Sequence, residues 1–298
     1  MMEQIVDSGL NVWFDPAELH ISFVDGPDGK FRRPEYATRS FKALSPILED
    51  PTSIEGLEQQ SIYWMFRNLG MQGDEHMVSQ YALRYDLSYF RQHLFGQELM
   101  KTSGHYHPGM WAGGPSYPEL YEVPWGTAIF LMQEVDDIDA GPEDVQIKSC
   151  IALVCEQGQK AIMPPNFGHV TLNPDPNRPL ITTNWVCSNF ASVYGGAEVC
   201  HGFAWYRTED RGWVKNPHIK CEIPQLRFAR CADVPELGLI QHQGIYPTGV
   251  ANPELMAFVT RPLDFIDLMW QGIVFDNPVD EAWKAEYVDA FKAQYCKR

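Results

Sequence analysis

The fold can be predicted from three stretches of the sequence, which are TSGHYH at residues 102–107, YPELY at 117–121 and PPNFGHVTLN at 164–173. In the first stretch, His105 and His107 are two residues apart. Side chains with this spacing on a β-strand point to the same face, so both imidazoles can reach one metal ion if the stretch is a strand. Such a pair is a weak signal alone, and the prediction depends on the other two stretches.

The other two stretches add a carboxylate and a third imidazole. Glu119 follows His107 by twelve residues, and His169 precedes Asn173 by four. Three imidazoles and one carboxylate that converge from separate strands form a site for a divalent first-row metal ion. Fe²⁺, Mn²⁺, Zn²⁺, Co²⁺ and Ni²⁺ all suit this set of nitrogen and oxygen ligands, so the ligand types alone do not select the metal.

The part of the chain around these stretches has the pattern of β structure. Between Ser61 and about Lys220, short apolar or alternating runs are separated by clusters of Gly, Pro, Asn and Asp. Short strands with a turn signal about every ten residues are typical of an all-β sandwich or barrel. We therefore expect a barrel over residues 61–220, with an N-terminal extension over residues 1–60 and a C-terminal extension over residues 221–298.

Both extensions contain helical signals. Short helices are expected around Glu18 and over residues 51–59, and the clearest helix is the last one in the chain. Asn277 can cap it, and Pro278 occupies its first helical position. Four aromatic residues then recur at a spacing of four and form one stripe, at Trp283, Tyr287, Phe291 and Tyr295. We expect this stripe to pack against the barrel or against a second subunit.

Charge and hydrophobicity exclude several kinds of partner. The 298 residues include 23 Lys and Arg against 39 Asp and Glu, which gives a formal net charge of −16. Proteins that bind nucleic acid or dock on anionic lipid need a basic surface, so neither partner is expected. The sequence also has no uninterrupted apolar run of about 18 residues, so no membrane span is expected.

The N-terminus and the cysteines indicate the compartment. The first residues, MMEQIVDSGL, lack the basic and apolar regions of a secretory signal. The seven cysteines include no CxxC pair, which is typical of free thiols in a reducing compartment. We therefore expect a cytoplasmic protein. A zinc site with cysteine ligands is the alternative interpretation of these residues.

The motifs together resemble the two conserved motifs of the cupin superfamily, whose members are small double-stranded β-helix barrels with a metal ion inside. Over residues 83–213 they resemble the cupin-type glucose-6-phosphate isomerases in particular. In that family a Thr-x-Gly-His-x-His segment leads into a Tyr-x-Glu-x-Tyr segment, and a Pro-Pro-x-x-x-His-x-x-x-Asn segment follows. The resemblance implies an all-β cupin (jelly-roll) barrel with an N-terminal arm and a partly helical C-terminal extension.

The resemblance also implies an activity. It implies a metal-dependent aldose–ketose isomerase that interconverts glucose 6-phosphate and fructose 6-phosphate, a reaction of glycolysis and gluconeogenesis. One divalent metal ion is implied, with Fe²⁺ or Mn²⁺ favoured, together with a small sugar phosphate as ligand and a homodimer as the assembly. Hydroxyl and backbone N–H groups can bind a phosphate, so the net charge does not exclude an anionic substrate.

Roles for individual residues follow from the same resemblance. The metal ligands correspond to His105, His107, Glu119 and His169. The substrate-binding residues correspond to Ser88, Thr102, Gly104, Tyr117 and Tyr194. The catalytic residues correspond to Glu119 and Tyr121.

Several of these roles have alternatives. Isomerisation moves a hydrogen between C1 and C2 of the opened sugar, and a metal ion assists by polarising the carbonyl. Glu119 is the candidate base, but it can equally be a fixed fourth ligand, and a hydride shift would need no base. Tyr121 can relay protons between O1 and O2 or simply pack in the core. Lys101 or Arg84 can add charge near the phosphate, or be solvated or paired elsewhere.

Three features depart from the family's pattern. The loop over residues 108–118 is longer than is usual in the family. Ser192 and Val193 replace a histidine–aspartate pair, which removes a proton shuttle and a phosphate contact. A pocket tyrosine is replaced by Val186 or its neighbour Trp185.

Because of these departures, two other functions stay open. One is another metallocupin enzyme, such as a sugar epimerase, a different isomerase or an O₂-using dioxygenase. The other is a non-enzymatic, sugar-binding cupin.

Overall fold

The structure is a computed structural model that describes residues 3–5, 8, 10–15, 20–25 and 30–296. More of these residues lie in strands than in helices. The strands before residue 61 are β1 (Glu3–Gln4), β2 (Val12–Asp15), β3 (His20–Phe23), β4 (Phe31–Arg32) and β5 (Glu35–Ser40). The central strands are β6 (Ser61–Arg67), β7 (Gly70–Met71), β8 (Leu83–Phe90), β9 (Leu94–Phe95), β10 (Glu98–Leu99), β11 (Glu119–Trp125), β12 (Ala128–Val135), β13 (Ile147–Cys155), β14 (Lys160–Met163), β15 (Phe167–Leu172) and β16 (Leu180–Cys187). The last strands are β17 (Trp205–Thr208), β18 (Gly212–Lys215), β19 (Leu226–Cys231) and β20 (Ile273–Phe275).

Helices are short except for the last one. The α-helices are α1 (Phe41–Leu44), α2 (His76–Ser79), α3 (Gly195–Val199), α4 (Ile245–Ala251), α5 (Ile266–Gln271) and α6 (Pro278–Tyr295). Single turns of 3-10 helix occupy Ser45–Ile47, Pro51–Ile54, Pro235–Leu237 and Pro262–Asp264, and a longer one occupies Pro253–Val259. The helix predicted over residues 51–59 is thus a 3-10 turn at its start, and the helix predicted around Glu18 lies outside the described residues. No helix among the described residues combines the length and apolar character that a membrane crossing requires.

Two large sheets build the body of the protein. One has six strands in the order β14-β11-β16-β8-β6-β5, and the other has five in the order β15-β12-β13-β19-β20. Within them, β13 and β19 pair in parallel, and the other pairings are antiparallel. This architecture confirms the prediction of an all-β fold of the cupin jelly-roll type with a partly helical C-terminal extension.

The flanking segments contribute strands to both sheets. β5 forms one edge of the six-stranded sheet, and β19 and β20 form one edge of the five-stranded sheet. The division of the chain after residues 60 and 220 stays a prediction. Both large sheets therefore include strands from outside residues 61–220.

Alternation along the strands makes one face of the six-stranded sheet polar. On β8, Arg84, Asp86 and Ser88 share a face, because side chains two residues apart point the same way. The register through β16 brings Arg84 into line with Glu119 and Asp86 into line with Tyr121. Polar side chains from several strands therefore meet on this face.

The opposite face of the same sheet is covered by the C-terminal segment. Trp185 of β16 is 1% exposed, and its indole N–H donates to the carbonyl oxygen of Ile245 at 2.9 Å. Its ring is stacked on that of Tyr246, with centroids 5.8 Å apart. The C-terminal segment thus buries an aromatic surface of the sheet that would otherwise face water.

The terminal helix forms as the sequence predicts. Its aromatic stripe packs on the chain itself, with the ring of Trp283 6.1 Å and that of Tyr287 5.1 Å from the ring of Trp270 on α5. Tyr287 also lies 5.7 Å from Phe167 of β15. The stripe therefore attaches α6 to the five-stranded sheet.

We expect Asn277→Ala to lower the free energy of unfolding by about 1 kcal/mol. The Asn277 side chain accepts a hydrogen bond from the backbone N–H of Asp280 at 2.8 Å, and alanine leaves this donor of the first turn without its cap. Urea denaturation of Asn277→Ala should be compared with that of Val279→Ala, since Val279 is 77% exposed in the same turn. Equal effects of the two substitutions would contradict the capping role.

Candidate metal centre

The four predicted metal ligands come from three separate segments. Glu119 begins β11 and His169 lies in the middle of β15. His105 and His107 lie in an extended segment. The backbone N–H of His105 donates to the carbonyl of His169 at 3.2 Å, and the backbone N–H of His169 donates to the carbonyl of His105 at 3.0 Å. This backbone bridge to β15 holds the histidine pair beside the five-stranded sheet, across from Glu119 on the six-stranded sheet.

The ligand atoms of the four side chains converge on one point. The Nε2 atoms of His107 and His169 each lie 3.2 Å from Oε2 of Glu119, and Nε2 of His105 lies 3.9 Å from it. The two Nε2 atoms of His105 and His107 are 3.2 Å apart. All four ligand atoms lie within 4.8 Å of one another. Separations of this size occur between ligands placed about 2.1 Å from one ion.

Burial and neighbouring charge shift the pKa values of three of these groups, namely His105, Glu119 and His169. Burial, followed by the neighbouring histidines, lowers the pKa of His105 well below its usual value, and burial also lowers the pKa of His169. Burial opposes ionisation of Glu119, but the two histidines beside Oε2 outweigh it and hold the pKa of this carboxyl well below its usual range. The ionised Glu119 carboxylate therefore lies beside the neutral imidazoles of His105 and His169.

Two further observations indicate that these residues could bind a metal ion. The Nδ1 atom of His107 lies 2.8 Å from the carbonyl oxygen of Tyr117. Donation from Nδ1 to this carbonyl leaves the lone pair on Nε2, which faces the cluster. Oε2 of Glu119 is buried without a hydrogen-bond partner among the described residues. A divalent cation at this point would satisfy both atoms.

Tyr121 and Asn184 flank the cluster. The Tyr121 hydroxyl lies 3.1 Å from Nε2 of His169, and burial, followed by the Glu119 charge, raises the pKa of Tyr121 well above its usual value. Tyr121 is therefore a protonated donor. The side-chain amide of Asn184 donates to Oε1 of Glu119 at 2.7 Å, so one carboxylate oxygen is anchored while the other faces the histidines.

The cluster opens into a cavity of about 390 Å³ between the two sheets. Four of the five predicted substrate-binding residues line it, namely Ser88, Thr102, Gly104 and Tyr194. At Gly104 the backbone has a φ of 73° and a Cβ would lie 2.5 Å from Cγ2 of Val170. Only glycine can bring the chain this close to β15 at this position.

The fifth predicted residue, Tyr117, lies one layer behind the cavity wall. Its ring is stacked on that of Phe190 at 4.8 Å, and Phe190 itself lines the cavity. The contribution of Tyr117 to the site is its backbone carbonyl, which binds His107.

The departures from the family's pattern have clear positions. Ser192 and Val186 line the cavity, whereas Val193 forms a backbone bridge to Tyr106. The loop over residues 108–118 is a small hairpin closed by a bridge between Gly109 and Ser116. Of the two residues that replace the pair, Ser192 therefore lines the cavity and Val193 is held in the backbone bridge.

The two basic residues considered from the sequence differ in position. Lys101 is 5% exposed, and its ammonium group lies 2.5 Å from Oε1 of Glu98 and 2.6 Å from the carbonyl of Ile47, so it is paired in the core. Arg84 lines the cavity, where its guanidinium donates to both carboxylate oxygens of Asp86 at 2.8–3.0 Å.

Several cavity residues were not predicted from the sequence. They are Arg39, Tyr63, Arg67, Asp86 and Asn184. The polar positions of β8 could have been found, because Arg84, Asp86 and Ser88 alternate with apolar residues in LRYDLSYF. The residues of β5 and β6 show no alternation that would mark them as cavity residues. These strands lie at the cavity because β6 pairs with β8 and β5 pairs with β6.

Comparison with known proteins gives a family match and more distant structural matches. A family model described as glucose-6-phosphate isomerase (GPI) matches residues 38–223, which is more than half of the chain. No curated protein matches the chain.

The similar solved structures include the DMSP lyases RdDddP and RnDddQII (19% identity, 41% of this chain, 46% of that chain, TM-score 0.23). They also include an oxalate oxidase, with 14% identity over 38% of this chain and 46% of that chain and a TM-score of 0.25. A third is vicilin from Capsicum annuum, with 15% identity over 44% of this chain and 29% of that chain and a TM-score of 0.28. In each case the match spans less than half the length of the similar protein.

Proposed function

Since the chain belongs to the cupin-type glucose-6-phosphate isomerase family, we propose that it is a metal-dependent isomerase that interconverts glucose 6-phosphate and fructose 6-phosphate. The observation that carries the proposal is the cluster of three histidines and Glu119 on the wall of a cavity of about 390 Å³. A cytoplasmic homodimer, as expected from the sequence, is part of the same proposal.

The metal ion would be held by His105, His107, Glu119 and His169, and when bound it would supply Lewis-acid polarisation of the sugar carbonyl and the neighbouring hydroxyl. The three imidazoles offer nitrogen lone pairs to the ion, and the Glu119 carboxylate offers negative charge. The hydrogen bond from His107 to the Tyr117 carbonyl keeps the ring in one orientation. Iron or manganese is the proposed metal.

Glu119 and Tyr121 are the proposed catalytic residues. Glu119 stays ionised at neutral pH, so its carboxylate can accept the proton that leaves C1 or C2, although its low pKa makes it a weak base. The fixed position of Oε1 on Asn184 leaves Oε2 for this role or for metal ligation. Tyr121 keeps its proton, and can therefore donate a hydrogen bond to a sugar oxygen as charge develops there.

Ser88, Thr102, Gly104 and Tyr194 are the proposed contacts to the sugar phosphate. Thr102 is held in place because its Oγ1 accepts a hydrogen bond from the backbone N–H of Thr171 at 3.0 Å. Its hydroxyl proton remains available to a ligand. Tyr117 would act through its backbone carbonyl instead.

We expect metal-loaded protein to form fructose 6-phosphate from glucose 6-phosphate in a coupled assay, and a chelator to abolish the reaction until Fe²⁺ or Mn²⁺ is added back. His105→Ala should lose bound metal and activity together. His218→Ala is the matched control, because His218 is exposed and contacts the ring of His201 rather than the cluster. If the metal-loaded protein forms no fructose 6-phosphate while His105→Ala still loses metal, the metal site is correct and the proposed reaction is wrong.

A second candidate is a metal-dependent enzyme that acts on another sugar. The observation that favours it is Ser192, which lines the cavity at the position where the family has a polar pair with a histidine. A panel of phosphorylated and neutral aldoses, assayed with the same metal-loaded protein, separates the two candidates.

A further inference from the structure

Arg39 is a cation in the cavity without an acidic partner. It lies on β5 and lines the cavity, where it is half-buried. Within the described part of the chain it forms no ion pair, and its one hydrogen bond is a long contact of 3.5 Å to the carbonyl of Thr38. A partly desolvated guanidinium that lacks a carboxylate is costly unless an anion binds there.

The acidic groups that line the cavity interact with residues other than Arg39. Asp86 accepts both branches of the Arg84 guanidinium, and Glu119 faces the three histidines. Neither carboxylate therefore neutralises Arg39. An anion that enters the cavity would meet a free positive charge at this point.

Hydroxyl groups surround the same point. Tyr63 of β6 is the register partner of Arg39, and its hydroxyl lies 3.4 Å from the hydroxyl of Ser103. The guanidinium carbon of Arg39 lies 5.8 Å from the centre of the Tyr194 ring. A guanidinium beside hydroxyl groups from three segments is a suitable binding surface for a phosphate group.

Arg39 lies at a position from which one substrate molecule could contact both its guanidinium and the candidate metal ligands. The Tyr194 ring that Arg39 contacts is itself 5.5 Å from the ring of His105. Tyr194 thus lies between the arginine and the metal cluster, and Ser103 and Gly104 run along the same wall.

We infer that Arg39, with the hydroxyls of Tyr63 and Ser103, binds the phosphate group of a phosphorylated substrate whose reacting end lies at the metal cluster. The inference rests on the proposed function for the identity of the substrate, and it makes Arg39 the residue that selects a phosphate ester over the neutral sugar. Planar, two-pronged hydrogen bonding makes arginine better suited than lysine to this task.

Arg67 is a matched control in the same cavity. It also lines the cavity and forms no ion pair within the described residues, but its contact is the sulfur of Met65 at 3.7 Å. Its register partner is Glu35, four residues from Arg39 along β5. Its loss removes the same charge from the cavity without removing the group next to Tyr63 and Tyr194.

The test measures the binding of glucose 6-phosphate, inorganic phosphate and glucose to metal-loaded wild-type, Arg39→Gln, Arg39→Lys and Arg67→Gln proteins by calorimetry. We expect Arg39→Gln to raise the Kd of both phosphate ligands about 10- to 100-fold, the loss typical of a charged hydrogen bond. Arg39→Lys should give a smaller increase, because it keeps the charge. Arg67→Gln should raise these constants clearly less than Arg39→Gln does, because Arg67 does not lie next to Tyr63 and Tyr194, and metal content and glucose binding should not change in any variant.

The outcomes separate this inference from the proposed function. If the protein isomerises glucose 6-phosphate but Arg39→Gln binds phosphate ligands like wild type or like Arg67→Gln, the inference is wrong and the function stands. If no isomerisation occurs but inorganic phosphate binds in an Arg39-dependent way, the inference stands and the substrate is another phosphate ester. If wild-type protein binds neither phosphate ligand, the inference is overturned.

Discussion

Glu119→Gln should lower kcat/KM for fructose 6-phosphate formation by about 10³-fold or more, the scale expected when a metal ion or its charge is lost from a reaction centre. Glutamine has the shape of glutamate but carries no charge. The substitution removes the one carboxylate from a cluster that otherwise consists of three imidazoles, and it also removes the candidate base. The side-chain amide of Asn184, which donates to Oε1 of Glu119, would then lie beside an amide group in place of a carboxylate.

Metal content measured on the same samples assigns the role of Glu119. Loss of metal together with activity indicates a ligand, whereas full metal content with lost activity indicates a base. Glu156→Gln is the control, since Glu156 is exposed in the turn after β13. Activity of Glu119→Gln within threefold of wild type would rule out both roles.

Lys160→Met should lower the free energy of unfolding by about 3–5 kcal/mol, the cost of leaving a buried charge without its partner. The ammonium group of Lys160 lies 3.1 Å from Oε1 of Glu122, and both side chains are buried. The other oxygen of Glu122 accepts from the Thr183 hydroxyl at 3.3 Å and from the backbone N–H of Ile245 at 3.4 Å. The pair therefore joins the six-stranded sheet to the C-terminal segment that covers it.

Denaturant unfolding of Lys160→Met should be compared with that of Lys148→Met, an exposed lysine on β13, which should change stability little. The double variant Glu122→Gln/Lys160→Met should recover part of the loss, because no unpaired charge remains. Metal content should be retained, since Glu122 and the metal ligands lie on opposite faces of the sheet. Equal stability of the two lysine variants would contradict the importance of the buried pair.

Much of the metal cluster could be predicted from the sequence because its chemistry is encoded locally. The His-x-His pair, the glutamate twelve residues later and the third histidine are each recognisable by residue type and spacing. The cap and the aromatic stripe of α6 were predictable for the same reason, since helix starts and helix periodicity depend on neighbours in the sequence. The polar face of β8 could be recognised in the same way, because Arg84, Asp86 and Ser88 alternate with apolar residues.

Residues of the cavity wall beyond the cluster could not be predicted in this way. Arg39 and Tyr63 face each other because β5 and β6 pair in one register, and a shift of one residue would turn both away from the site. Likewise, Tyr117 matches the family's motif in sequence, yet its ring lies behind Phe190. Motif matching assigns a residue type to a position but does not determine the direction of its side chain.

The fold class, the family resemblance and the four residues of the candidate metal site could thus be predicted from the sequence alone, since each depends on local pattern and spacing. Three features become visible only in the folded molecule: which side chains share the cavity, where the guanidinium of Arg39 lies, and that the C-terminal segment covers the far face of the sheet. These features depend on strand register and sheet order, which join residues that are far apart in the chain. Glu122 and Ile245, which lie 123 residues apart and are joined by a hydrogen bond, are one such pair.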